Sequence, residues 1–600
     1  MLVDLEFPAE APYRNEMVEG RIEKKGDREI VGYSRFEGRD GSRYQDYTLY
    51  FVVQFDKPFT SMGGWRGDQI QRDIADVSGA GDVGAFLNFD ATEGQTVQVR
   101  SGVSFVSIAN ARENLRQELS GPFGWDFQAV VDHQRKTWND LFQRIEIETD
   151  DHLQKVRFYT NFYRAFCART IMSDVNGQYV DMYERVQQLP DADFPVLGCD
   201  AFWNTFWNLN QLWNLVAPEV SEQWVRSLLE INDKGGWLPK GPAGVEYTSI
   251  MVAEHAIPLM VAAYQHGIRG FDAEKALDAM VHTQTAPAQP HPGGGHVGNG
   301  NLKPYLQYGF IPLGQGAASN TLEYAYDDWC VAQFAKALDK QDVYEQFSKR
   351  GAYWRNIFDV ESGFARPRHA DGRWFEDFNP YSGHGGWVEG NPWQYTWFVP
   401  QDVEGLAEAM GRERFIERLN EGLVKSEPSR FNATGDRMAD YPINHGNQPS
   451  MQVAWLFDRA GAPWLTQKWT RAIVERYYGV GPSDGYPGDE DQGQMSAWFL
   501  MSALGLFQTD GGCRIEPIYE IGSPRFEKAT IRLHPDYYPG GTFTIVAKNA
   551  SRTNMFVQSA SLNGQPLDRW WIKAKDLQAG GTLVLEMGPE PNKNWATGRR

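Results

Sequence analysis

GYPGDEDQGQMSAWFL, residues 485–500, sets three consecutive acids, Asp489, Glu490 and Asp491, between glycines and runs straight into Met, Ala, Trp, Phe and Leu. The apolar run reads as a buried helix with like charge gathered at its mouth. An ordinary solvated turn can carry such charge, so the acids acquire meaning only from the rest of the chain.

Working outward, the segment from about Asp151 to Gln508 reads almost wholly as helices. SEQWVRSLLEIND, TSIMVAEHAIPLMVAAYQHG and TLEYAYDDWCVAQFAKAL are examples, and several helices end near Gly. They suffice for about six pairs, and sequential hairpins in that number can close into an (α/α)-type barrel with its loops gathered at one end. No repeat of fixed period marks a close-packed solenoid.

The flanks are different. VGYSRFEG, YTLYFVVQFDKPF, GAFLNFDAT and TVQVRSGVSFVS alternate with period two, as strands of an antiparallel sandwich do. Strand patterns return after GSPRFEKATIRLHP, with SLNGQPL as a hairpin signal. The expected fold is α+β and multidomain, an (α/α)6 toroid barrel packed against an antiparallel β-sandwich. Its parts are a sandwich portion over 1–115, a helical linker over 116–150, the barrel over 151–515, and strands over 516–600 that return to the sandwich.

Composition narrows the partners. The net charge of −20 argues against nucleic acid, which needs a basic footprint. No stretch approaches the roughly 20 apolar residues of a membrane span. The chain carries 21 Trp, 26 Tyr and 34 Phe, and flat aromatics flanked by carboxylates suit the apolar faces of sugar rings as well as they fill a large core. Four scattered cysteines form no CxxC pair. GAGDVG (79–84) is followed by a strand pattern, which argues against a dinucleotide site.

Three loops carry chemistry. In GGWVEGNPWQYTWFV (385–399), Glu389 lies among Trp387, Trp393, Tyr395 and Trp397, and a carboxyl desolvated by aromatics favours its protonated form. In DYPINHGNQPSMQ (440–452), Asn447 and Gln448 offer neutral oxygens of the kind a hard cation such as calcium takes, though Asn, Gly and Pro are also plain turn chemistry. In the opening stretch, Asp489 and Asp491 can point one way and Glu490 the other. One of those Asp residues across a cleft from Glu389 would complete the carboxyl pair of glycoside hydrolysis. SDVNGQYVDMYE (173–184) lacks full calcium-loop spacing, and HPGGGHVG (291–298) is no closed metal site.

These strings, with TLEYAYDDWC, EGNPWQYTWFVPQD, GNQPS, PGDEDQGQMSAWFLMSALGLF and YEIGSPRF, resemble the calcium-dependent, inverting exo-α-mannosidases of glycoside hydrolase family 92. The resemblance implies a cleft between sandwich and barrel and a mannose-containing glycan as substrate. It implies Glu389 as general acid, Asp491 as general base with Asp489 a second candidate, and Ca2+ held near Asn447 and Gln448. Trp203, Asn204, Trp393 and Gln394 match positions around the sugar, and a periplasmic or secreted location is implied.

Departures from the family pattern carry their own expectations. The family's sandwich begins further upstream, so the chain is expected to lack part of it, as a fragment or with a separately encoded piece. Asn204 and Trp207 stand where a carboxylate and an Arg are usual, and Gln448 stands for a Glu. Ile443–Asn444 replaces the His-Glu of α-1,2-specific members. Another inverting exo-glycosidase, or a carbohydrate-binding protein without catalysis, therefore stays open.

Overall fold

The computed structural model describes all residues except 6–14, 39–45, 168–169, 200, 244–245, 249, 433–440, 482–484, 489 and 598–600. It has the expected α+β architecture. Two antiparallel sheets open the chain. The five-stranded one runs Asp76–Gly79, Asn15–Lys24, Glu29–Gly38, Tyr47–Phe55, Val99–Ser104. The four-stranded one runs Leu2–Asp4, Val83–Asn88, Ser61–Arg66, Gln69–Gln71. Alternation places Ile22, Ile30, Phe36, Val53, Met62 and Leu87 between the layers. Leu2–Asp4 and Asn15–Lys24 already stand in opposite sheets, so both layers of a sandwich are built within the first hundred residues. A strand needs only alternation, not a particular string, which is why these strands escaped motif matching.

The outer face of the larger sheet packs Val31 and Val52 on Ala111 and Leu115 of helix Ile108–Leu115. From there a buried acid fastens the sandwich to the helical domain. Asp174 accepts from Ser104 Oγ (2.8 Å), Asn110 Nδ2 (2.7 Å) and Asn114 Nδ2 (2.6 Å), while the Val175 amide donates to Asn114 Oδ1. The SDVNGQY segment is thus a fastening between domains.

Among the described residues, six inner segments line the barrel: Leu209–Val216, Ala256–Gln265, Asn320–Ala337, the stretch from Pro392–Tyr395 to 399, the stretch from Gln448–Ser450 to Leu456–Arg459, and Gln494–Leu504. Every residue of Leu209–Val216 and Gln494–Leu504 is buried, so both helices are enclosed on all sides, the first with three amide side chains among its apolar ones. Gln494–Leu504 packs on both His152–Arg164 and Leu209–Val216, which closes the ring. His152–Arg164, Pro218–Gly235, Ala273–Thr283, Gln341–Gly351, Arg412–Ser426 and Pro463–Arg476 form the amphipathic outer ring.

The strands after residue 516 differ from expectation. Five of them join Ile145–Glu148 in a sheet ordered Ile145–Glu148, Lys528–Arg532, Thr542–Lys548, Gly581–Gly588, Phe556–Leu562, Gln565–Pro566, while Ile518–Ile521 and Trp571–Lys573 pair in a three-stranded sheet with Leu506–Phe507, and no described strand of either sheet pairs with the N-terminal sheets. One pair, Thr542–Lys548 with Gly581–Gly588, is parallel. The reason is apolar continuity: Ile531, Phe543, Ile545 and Leu583 share one core with the barrel. Asn563 and Gly564, both at positive φ, make the expected hairpin turn. Beneath the barrel, buried Arg459 joins Glu520 (2.7 Å) and Asp510 (3.5 Å), tying it to strand Ile518–Ile521.

Candidate active site

Three loops at one end of the barrel bring the chemistry together. In the first, Glu389 is half-buried and left-handed, at φ 47°. For a residue with a side chain this costs ~1 kcal/mol or more, and such positions cluster at functional sites. The approach to it is shaped by Gly386, also at positive φ, where a Cβ would lie 2.9 Å from Ala317 Cα and 3.0 Å from the Ala318 nitrogen. Behind Glu389 follows a cap: Asn391 Oδ1 accepts from the Gln394 amide (3.1 Å) and Pro392 takes the first helical position.

The second loop, Tyr441 to Ser450, is threaded under the first. Asn391 Nδ2 and Gln394 Nε2 both donate to the Tyr441 carbonyl, at 3.2 and 3.1 Å. The ring of His445 packs on Trp498 and Tyr477, and its Nε2 lies 3.0 Å from the Tyr478 hydroxyl. Burial pushes its pKa down to about 3, so it is a neutral tether. Asn447 Nδ2 then donates to the Glu389 carbonyl (2.7 Å), and the next residue, Gln448, donates through Nε2 to the Asp491 carboxylate.

The third loop carries the acids. Asp491 (φ 52°) and Gln492 (φ 65°) are left-handed. Glu490 turns back on the helix it precedes, accepting from the Ser496 amide (3.0 Å) and from the Gly493 amide. Burial pushes its carboxyl up to about 7 against those donors. Glu490 thus turns to the helix while Asp491 meets Gln448, and Asp489, expected to point the same way as Asp491, lies outside the described residues. The loops cross backbone to backbone: a Cβ on Gly488 would stand 2.6 Å from the Gly446 carbonyl oxygen.

The residues matched to the sugar positions lie deeper than expected. Trp203 and Asn204 are buried, and both serve one carboxylate: Trp203 Nε1 donates to Glu323 Oε1 (3.0 Å) and Asn204 Nδ2 to Glu323 Oε2 (3.3 Å). Trp393 is covered by Phe364 and Tyr381, and Gln394 is spent on the Tyr441 carbonyl. Trp207, where the family's Arg was expected, is buried against Phe206 and Phe398 and donates to the Thr509 carbonyl, so it is a core residue.

Motif reading missed the polar floor beneath Trp203. Glu323, Asp327, Glu254 and His255 are fully buried, with Lys240 bound to Glu254 and His255 Nε2 3.2 Å from Glu323. Burial pushes Asp327 up to about 7, opposed by His255. For His255, burial works downward, but the carboxylates of Asp327, Glu323 and Glu254 outweigh it and raise its pKa. The available signal was TLEYAYDDWC itself, which puts three acids among the aromatic and apolar residues of a helix whose first half is almost wholly buried.

A cation at this site would have to be held by oxygen donors. Among the described residues no group of three or more His, Cys, Asp or Glu is placed to hold a metal. Asn447 and Gln448 use their nitrogens toward Glu389 and Asp491, so a cation held here would take their amide oxygens. Neutral oxygens with one nearby carboxylate are donors of the kind a hard cation such as calcium takes, water filling its remaining positions.

Residues 110–589 match the glycosyl hydrolase family 92 catalytic domain and residues 1–104 the glycosyl hydrolase family 92 N-terminal domain. The chain belongs to glycosyl hydrolase family 92. The second match overturns the expectation that the N-terminal part is absent, in agreement with the two-layered sandwich already described. A family GH92 inverting mannosidase from Bacteroides thetaiotaomicron VPI-5482 superposes with a TM-score of 0.86 at 30% identity, over 100% of this chain and 79% of that one. A GH92 α-mannosidase from the same species, solved with mannoimidazole, gives 0.86 at 29% identity, over 97% and 76%. An uncharacterized secreted glycosidase of Arthroderma benhamiae is 26% identical over 557 residues, 86% of this chain and 64% of that protein's length. No helix among the described residues is long and apolar enough to cross a membrane.

Proposed function

We propose that this chain is an inverting, calcium-dependent exo-α-mannosidase that releases terminal mannose from glycans outside the cytoplasm. One observation carries the reading: the neighbours Asn447 and Gln448 reach the Glu389 backbone and the Asp491 carboxylate respectively, so two acid-bearing loops meet at one pair of residues. The inverting and α-mannosidase activities of the similar solved structures support the substrate class. The secreted fungal relative supports the location.

Glu389 gives its proton to the glycosidic oxygen as the C1–O bond breaks. Asp491, with Asp489 as second candidate, takes a proton from a water that attacks C1 from the opposite face, releasing β-mannose. Such a pair works with its carboxyls roughly 6.5–9.5 Å apart, leaving room for the water. Calcium held by the amide oxygens of Asn447 and Gln448 would supply positive charge to the sugar hydroxyls. Gln448 as donor favours the ionised form of Asp491, the form a base needs.

Hydrolysis of mannobioses and of α-mannosyl fluoride by wild type and Glu389→Gln, with and without chelator, tests the assignment. Expected are β-mannose as first product, loss of activity with chelator, and a ~10³-fold loss in the variant on disaccharide but far less on fluoride, whose departure needs little protonation. α-Mannose as product, or equal losses on both substrates, would overturn it.

A further inference from the structure

The backbone that presents Glu389 is held at successive polar groups by three side chains, each in or directly before a different inner segment. Ser319 takes two positions: its amide donates to the Gly386 carbonyl (3.1 Å), and its hydroxyl accepts from the Val388 amide (3.1 Å). Tyr395 donates its hydroxyl to the Val388 carbonyl (2.8 Å), and Asn447 Nδ2 donates to the Glu389 carbonyl.

We propose that Ser319 and Tyr395 are positioning residues for the general acid, fixing the peptide before Glu389 so that its carboxyl meets the glycosidic oxygen. The inference rests on Glu389 being that acid. Both residues are fully buried, and each is anchored in the barrel wall. Ser319 directly precedes helix Asn320–Ala337, and the Tyr395 oxygen lies 3.5 Å from Glu323, which also holds Trp203 and Asn204. Filling the core would account for the Tyr395 ring but not for a hydroxyl aimed at the peptide next to Glu389. A Phe would fill the same space. Burial, with Glu323 adding to it, raises the Tyr395 phenol well above its ordinary value, so it stays a donor at any working pH.

The left-handed backbone at Glu389 is the reason the clamp matters. A strained conformation persists only where its surroundings over-determine it, and a carboxyl displaced by ~1 Å can lose ~10²-fold in rate. Loss of the clamp should therefore be felt where proton donation is demanding and hardly at all where it is not.

The test uses the full chain as Tyr395→Phe and Ser319→Ala, with kcat and KM measured on a mannobiose and on α-mannosyl fluoride across pH. Expected is a 10- to 100-fold fall in kcat on the mannobiose, under 3-fold on the fluoride, a KM changed less than 2-fold, and a displaced alkaline limb of the pH profile for the mannobiose. Equal losses on both substrates, or no loss, overturn the proposal. If Tyr395→Phe does not fold, Ser319→Ala decides alone. Glu389→Gln is run beside them. If it fails to discriminate between the substrates, the acid assignment itself falls. If it discriminates and the other two do not, only the positioning role falls.

Discussion

Gln448 and Asp491, 43 residues apart, are joined by a hydrogen bond from the Gln448 amide to the Asp491 carboxylate. A neutral donor at this place stabilises the ionised acid, where a glutamate would repel it. Gln448→Leu removes the donor and raises the pKa of the base. The acidic limb of the kcat/KM profile is expected to move to higher pH, with activity below neutral pH falling several-fold. A pH–rate profile of the variant checks this, and an unmoved acidic limb would separate Gln448 from the base.

Glu490 ties the pH dependence of stability to the same loop. Its folded-state pKa is raised to about 7 by burial, above the ordinary 4.5. Between those values the folded chain holds a proton that the unfolded chain has released, so stability falls as pH rises through that window. Glu490→Gln abolishes the titration. The wild type should lose Tm relative to the variant between about pH 4.5 and 7.5, and parallel Tm curves across that range would contradict the assignment.

How much of this was legible in the sequence follows from what each feature demands of it. Gln494–Leu504 was readable as buried because every residue after Gln494 is apolar or small, and Glu389 stood out because its aromatic neighbours are adjacent in sequence. The polar floor was hidden, because Glu323 meets Tyr395 across 72 residues and Asn204 across 119, and no local pattern encodes such meetings. Trp207 shows the converse. Its difference from the family pattern suggested altered substrate contact, yet its ring is buried in the core and its Nε1 bonds the Thr509 carbonyl. The destination of the C-terminal strands was decided by which core their apolar faces continue, which alternation alone leaves open.

Asp174 provides the test of how the sandwich is fastened. Three buried donors, from Ser104, Asn110 and Asn114, converge on its carboxylate, and Asp174→Ala leaves them without their acceptor. Loss of a buried, multiply bonded charge of this kind costs about 3–5 kcal/mol. The second link across the same boundary, Arg35 to Glu184 at 3.3 Å, is exposed on the Glu184 side, and pairs of that kind contribute ~1 kcal/mol or less. Thermal unfolding should therefore show Asp174→Ala lowering the first transition by several degrees, with the sandwich melting ahead of the barrel, while Arg35→Ala shifts it little. Equal shifts for the two variants would mean that the buried acid does not hold the domains together.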